Sequence, residues 1–368
     1  MDGRVWTVGR SVELAAVILA LALALAPLPA GLVERWFSSG VYPLLERALT
    51  SVSNLLPLAI LDILLAGAAI ALAVTLTRAV RESSRSRSVG PLLRAVAHVA
   101  AAAAGVYLLF LLLWGFNYRR VPMPERLMLE RAAPSSEDVA QLGLRAVDAM
   151  NTTYAAAHSG PQPVPEWQDP DLLNAFADVQ RALSDTAPVH AGRLKRTLLG
   201  SYFRWTSVDG MINPFGLEVL ANPDLLPFER PFVAAHEWGH LAGYADEAEA
   251  NFVGWLTCVR ATPPAQYSGW LYLYWQIRGE LGSPERARVA AGVGAGPQRD
   301  LNAIAERLRR RDVPLLRRAS WAAYDRYLRA NRVEAGVRSY GEVVTLILRT
   351  RFEGDCRPVR QGTAVSAP

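Results

Sequence analysis

Apolar residues gather into three long runs in the first third of the chain, whereas the remainder alternates short amphipathic stretches with polar breaks. The runs cover roughly residues 12–33, 55–77 and 92–114. Each approaches the ~20 residues that an α-helix needs to cross a bilayer, so three transmembrane helices are predicted. A cleaved signal peptide is the alternative for the first run, because Arg4 and Arg10 precede its Leu/Ala core and Pro27-Leu28-Pro29-Ala30 follows it. Two further runs make a membrane anchor the simpler account. Asp62 and His98 are polar positions within runs and lack an obvious charged partner at helical spacing. Each is therefore expected to face another helix or an interface rather than lipid.

After Asn117 the pattern is mainly helical. Ser135-Ser136-Glu137-Asp138 has the capping oxygens and first-turn acids of a helix start, and Asp169-Pro170 opens another helix with proline at its first position. Residues 201–221 mix aromatic and β-branched residues with the turn signals Asp209-Gly210 and Asn213-Pro214, and 216–220 reads as the clearest strand. That strand either pairs with an extended substrate, as an edge strand can, or lies in the core.

Charge refines the picture. The chain has 368 residues, 51% of them hydrophobic and only 20% charged, with a net charge of +5. The excess arginine is spread out, and a dense cluster (Arg78, Arg81, Arg85, Arg87, Arg94) falls between the second and third apolar runs. This pattern suits membrane topology rather than nucleic-acid binding. Positive loops stay cytoplasmic. Residues 1–117 are thus expected to form a membrane domain, and 118–368 an extracytoplasmic domain. Cys258 and Cys356 are the only cysteines, which excludes a cysteine-built metal site. No obligatory disulfide between them is expected.

The chemistry concentrates in His236-Glu237-Trp238-Gly239-His240. On a helix, residues four apart share a face, so the two imidazoles can converge on one zinc ion. Glu237, one position round, is placed to act as general base on a water that zinc activates. Gly243 can end this helix in a left-handed cap. The following segment, Asp246-Glu247-Ala248-Glu249-Ala250-Asn251, offers the third ligand. An HxxGxxD reading selects Asp246, whereas an acid on the next helix selects Glu247, with Asn251 on the same face to orient a ligand histidine. Glu249 is a further candidate, about 200° round that helix from Glu247.

The segment His236-Glu-Trp-Gly-His-Leu-Ala-Gly-Tyr-Ala-Asp-Glu-Ala-Glu-Ala-Asn-Phe-Val-Gly-Trp-Leu-Thr-Cys258 resembles the motif HExxHxxGFAxExEANFxxYLxC of the bacterial domain-of-unknown-function 3810 family. Trp114-Gly115-Phe116-Asn117-Tyr118-Arg119, Tyr327-Leu328-Arg329-Ala330-Asn331 and Gly336-Val337-Arg338-Ser339-Tyr340-Gly341 add to the likeness, which covers most of the chain. The resemblance implies a membrane-bound, zincin-like protein. Together with the motif's own chemistry, the expected fold is mainly α: three transmembrane helices followed by a zincin-like α+β metallopeptidase domain with a short sheet. In the family motif the position of Asp246 varies, whereas Glu247 and Glu249 match acids, which favours Glu247 as ligand. Tyr340 and Arg338, in a glycine-flanked turn, are candidate oxyanion stabilisers. The expected function is zinc-dependent hydrolysis of a peptide or protein substrate near the membrane. A metal-binding membrane protein without peptidase activity is the alternative, and charges around the motif argue against a site inside the bilayer.

Overall fold

Pro27 and Pro29 lack the amide hydrogen that a helix interior requires, and helix α1 (Asp2–Leu25) stops just before them. A computed structural model describes residues 2–159, 164–333, 342–354 and 356–362. After the prolines the chain bends by 113° into α2 (Ala30–Leu55), in which Val33–Val41 is wound as a π-helix. Then follow α3 (Ile60–Ser86) and α4 (Gly90–Leu113), each long and apolar enough to cross a membrane. The bent pair of α1 and α2 makes a third candidate if it counts as one span. The expected first run, 12–33, is therefore broken at residue 26, and the second begins at Ile60 and continues to Ser86. Asp62 and His98 both have partners. The Asp62 carboxylate accepts from Thr197 Oγ1 at 2.6 Å and from the Leu198 amide at 2.9 Å. His98 Nδ1 lies 2.6 Å from Glu13 on α1, a partner that spacing along one helix could not reveal.

Apart from single helical turns at Gly115–Arg119, Met123–Arg126 and Glu166–Gln168, the remaining helices among the described residues are α5 (Ser136–His158), α6 (Pro170–Leu183), α7 (Gly200–Thr206), α8 (Arg230–Leu241), α9 (Glu247–Val259), α10 (Pro263–Glu280), α11 (Ser283–Ala291), α12 (Ala295–Arg310), α13 (Pro314–Ala330) and α14 (Glu342–Arg349). Local chemistry sets several starts. Ser135 Oγ accepts from the Asp138 amide while the Asp138 carboxylate accepts from the Ser135 amide, a reciprocal cap that opens α5. Asp169 caps α6, with Pro170 at the first position. The core forms where α8 and α9 cross, enclosed by α5, α6, α10 and α14. Trp238 is fully buried there and its Nε1 donates to the Gly192 carbonyl at 2.7 Å.

Strands β1 (Leu194–Lys195), β2 (Gly210–Asn213) and β3 (Glu218–Ala221) make one small sheet in the order β1-β3-β2. β3 runs parallel to β1 and antiparallel to β2, with Leu194 opposite Val219 and Gly210 opposite Ala221. The expected strand at 216–220 is thus shifted: Leu217 takes a positive φ of 42° in the turn, and pairing starts at Glu218. β3 is also central and buried throughout, so it is the core strand of the two alternatives, and β1 and β2 are the edges. A second hairpin joins β4 (Phe352–Glu353) and β5 (Arg357–Pro358).

Tertiary packing draws α2 into the unit built around α8 and α9. Tyr42 belongs to the same core as Trp238 and Phe252. Thr50 Oγ1 donates to the Leu217 carbonyl, and the Glu46 carboxylate accepts from the His190 amide. At the start of α3 the amides of Ile60 and Leu61 both donate to Glu218, whose carboxylate also meets Lys195 Nζ at 2.8 Å with both side chains fully buried.

Candidate metal centre

The α8 helix carries His236, Glu237 and His240, and its geometry follows from its ends. Pro231 at the N-terminus is pre-set for a first helical turn. At the other end Gly243, with φ of +81°, turns the chain back, and its amide donates to the His240 carbonyl at 2.9 Å. The last carbonyls, which a helix cannot satisfy itself, are taken by side chains of α2 and of the segment after α4. Trp114 Nε1 donates to His240 O at 3.0 Å, Tyr42 Oη to Leu241 O at 2.6 Å, and Arg120 Nη1 to Gly243 O at 3.0 Å. Trp114 lies directly after α4, so the site helix is fastened to the end of an apolar helix.

α9 crosses α8 at very short range. A Cβ on Gly254 would lie 3.0 Å from the backbone nitrogen and Cα of His236, so any larger residue would crowd this approach. The crossing brings Glu247 to the histidines: its Oε2 is 3.5 Å from His236 Nε2 and 3.5 Å from His240 Nε2. Among the described residues these three form a buried group whose ligand atoms lie within 4.8 Å of one another. Three donors at about 2.0–2.1 Å from one tetrahedral ion stand about 3.4 Å apart, so the two 3.5 Å separations suit zinc, as do the imidazole and carboxylate donors. His240 Nδ1 lies 2.8 Å from the Tyr244 carbonyl, which makes it the donor, so in the neutral ring the lone pair is on Nε2. The Glu247 Oε2 atom, aimed between the imidazoles, has no hydrogen-bond partner among the described residues.

The other two acids face elsewhere. Asp246 is the N-cap of α9, its carboxylate accepting from the amides of Ala248 and Glu249. Glu249 points away from the histidines and accepts from the Met123 amide, near Arg126 and Arg120. Asn251 lies beside His236, where its amide favours the protonated ring, although His236 Nδ1 has no hydrogen-bond partner among the described residues. Tyr340 and Arg338 lie outside the described residues.

Charges in the group are strongly displaced. Burial holds His236 down to about 4, with the charge of His240 adding to the effect. Burial also disfavours charge on His240, but the Glu247 carboxylate outweighs it and lifts the imidazole to about 9. For Glu247 burial is likewise overcome, by His240, and the carboxyl falls to about 2. Glu237 is pushed up to about 8, chiefly by burial. It packs against β2, where a Cβ on Gly210 would come within 2.6 Å of Glu237 Oε1, and its Oε2 lacks a hydrogen-bond partner among the described residues.

One contact was not read from the sequence. The Tyr324 hydroxyl on α13 donates to Glu247 Oε1, opposite the edge that faces the histidines. Tyr327, one turn on, packs edge-on to Tyr118 and near Phe110 of α4. The spacing of Trp321, Tyr324 and Tyr327 marks an aromatic stripe, but nothing in it specifies a carboxylate seventy-seven residues away.

The family model described as "Protein of unknown function (DUF3810)" matches residues 37–348, from within α2 to within α14, and so includes His236, Glu237, His240 and Glu247. No curated protein and no solved structure matches the chain.

Proposed function

We propose that this chain, which belongs to the DUF3810 family, is a membrane-attached zinc-dependent hydrolase that cleaves peptide bonds. The observation that carries the reading is the convergence of His236, His240 and Glu247 beside the buried carboxyl of Glu237. His236 and His240 would hold the ion through Nε2 and Glu247 through Oε2, three protein ligands being the number typical of catalytic rather than structural sites. Bound zinc supplies Lewis acidity and lowers the pKa of water towards about 7. Glu237 takes the proton as water attacks the peptide carbonyl and returns it to the leaving amine, for which its unpartnered Oε2 is suited. A structural zinc site needs no such base, which weighs against a purely metal-binding role. β2, the outer strand next to Glu237, is the element against which an extended peptide would lie.

The test separates binding from chemistry. Glu237→Gln should keep zinc at full occupancy and reduce peptide cleavage by about 10²–10⁴-fold. His240→Ala and Glu247→Ala should instead lower zinc per chain, while Asp246→Asn and Glu249→Gln should affect it less. Zinc lost with Glu237→Gln, or kept without Glu247 but lost without Asp246, would overturn these roles. Full zinc occupancy with no cleavage across a peptide library would favour the metal-binding alternative.

A further inference from the structure

α2 is amphipathic in the opposite sense to a helix that faces water. Its polar residues point inward: Ser38 Oγ donates to Asn117 Oδ1, Thr50 to Leu217 O, and Ser53 Oγ accepts from Lys195 Nζ. Its outward face carries Leu32, Trp36, Leu44, Val52 and Leu55, each more than half exposed. The π-wound stretch makes this face continuous. At about 100° per residue, Leu44 would lie about 120° round from Leu32. The wider i→i+5 turns over Val33–Val41 take that rotation back and bring both onto one side.

Both ends of α2 are tied to apolar helices by four-residue links, 26–29 to α1 and 56–59 to α3. Its ends therefore cannot leave the level at which those helices emerge, and the 113° bend from α1 turns it towards the membrane plane. Arg35 lies over the Trp36 ring at 5.5 Å, a pairing of the residue types that gather at headgroups. A second exposed apolar group adjoins α3: Leu198, whose amide is bound by Asp62, with Trp205 on α7 and Leu315 at the start of α13. The Val313 amide donates to the Trp205 carbonyl, which joins the last two.

We infer that α2 lies in the interfacial layer of the bilayer with its apolar face in lipid, and that Leu198, Trp205 and Leu315 continue this contact surface. The inference rests on the reading of α3 and α4 as membrane-crossing helices and is independent of the zinc chemistry. Such a surface seats the soluble unit on the membrane, because the opposite face of α2 holds the end of α8 through Tyr42.

Spin labels decide it in the full-length protein reconstituted into phosphatidylcholine/phosphatidylglycerol nanodiscs, with Cys356→Ser to remove the exposed thiol. Labels are placed by Leu44→Cys, Val52→Cys and Leu198→Cys, with Ile70→Cys on α3 and Arg310→Cys on α12 as lipid and water references. Relaxation by oxygen relative to a water-soluble nickel chelate should class Leu44, Val52 and Leu198 with Ile70, at shallower depth. Nickel access at Leu44 and Val52 equal to that at Arg310, with Ile70 still in lipid, would falsify the inference alone. Shielding from both relaxants would overturn it in favour of a covering protein, such as a second copy. Nickel access at Ile70 would remove the membrane reading and this inference together. No outcome depends on zinc or on hydrolysis.

Discussion

Glu247 is gripped on both sides, with one oxygen 3.5 Å from each histidine nitrogen and the other accepting from Tyr324. Removing the phenol frees the carboxylate to rotate, and partners of this kind are typically worth about 10–100-fold in metal affinity. Tyr324→Phe is therefore expected to weaken zinc binding by that factor in a chelator competition, with the fold retained; unchanged affinity would make Tyr324 a packing residue only. Glu46 sets a pH dependence at the same scale. Burial raises its carboxyl from 4.5 to about 8, so the folded chain keeps a proton that the unfolded chain releases. The stabilisation is complete below about pH 4.5 and is lost as pH rises towards 8, with a limiting slope of about 1.4 kcal/mol per pH unit. Thermal unfolding of the detergent-solubilised protein should show that loss, and Glu46→Gln should flatten it. An identical slope in the variant would assign the dependence to other groups.

Among the elements, the crossing of α8 and α9 is the contact on which the site depends. Gly254→Ala places a methyl group 3.0 Å from the backbone of His236, where no side chain can swing aside. The strain should destabilise the fold by about 1–3 kcal/mol and, by moving α9, lower zinc affinity. Gly279→Ala in α10 is the control, since a Cβ there meets nothing within 4 Å and alanine is the better helix former. Equal behaviour of the two variants would show that the crossing tolerates a Cβ. Elements differed in how far local sequence announced them. The capped starts at Ser135 and Asp169 were legible because capping is chemistry within three residues. The first apolar run was read through Pro27 and Pro29, because a run of hydropathy does not register missing amide donors.

For the whole molecule, the arginines from Arg78 to Arg94 surround the link between α3 and α4. The proposed topology keeps that link in the cytoplasm and puts the unit that holds α5 to α14 outside it. A reporter active only after export, fused after Pro368, should be active, and activity of a strictly cytoplasmic reporter there would reverse the orientation. The pairing of Arg94 with Glu82 at 2.6 Å removes one of these charges from the count without changing its sign.

That His236 and His240 share one helix face, with Glu237 one position round, could be read from the sequence alone because i, i+4 spacing is a property of one helix and needs no partner. The apolar runs and the glycine turn at Gly243 were equally local. The choice among Asp246, Glu247 and Glu249 was not, since all three begin the same helix and differ only in direction. Their directions became meaningful only once α8 lay against α9 through Gly254, and once the Met123 amide stood where Glu249 could meet it. Tyr324 and the inward polar face of α2 were hidden for the same reason: their partners are 77 and up to 199 residues away in the chain. Periodicity specifies which side of a helix is distinct, whereas only the packed structure decides what that side touches.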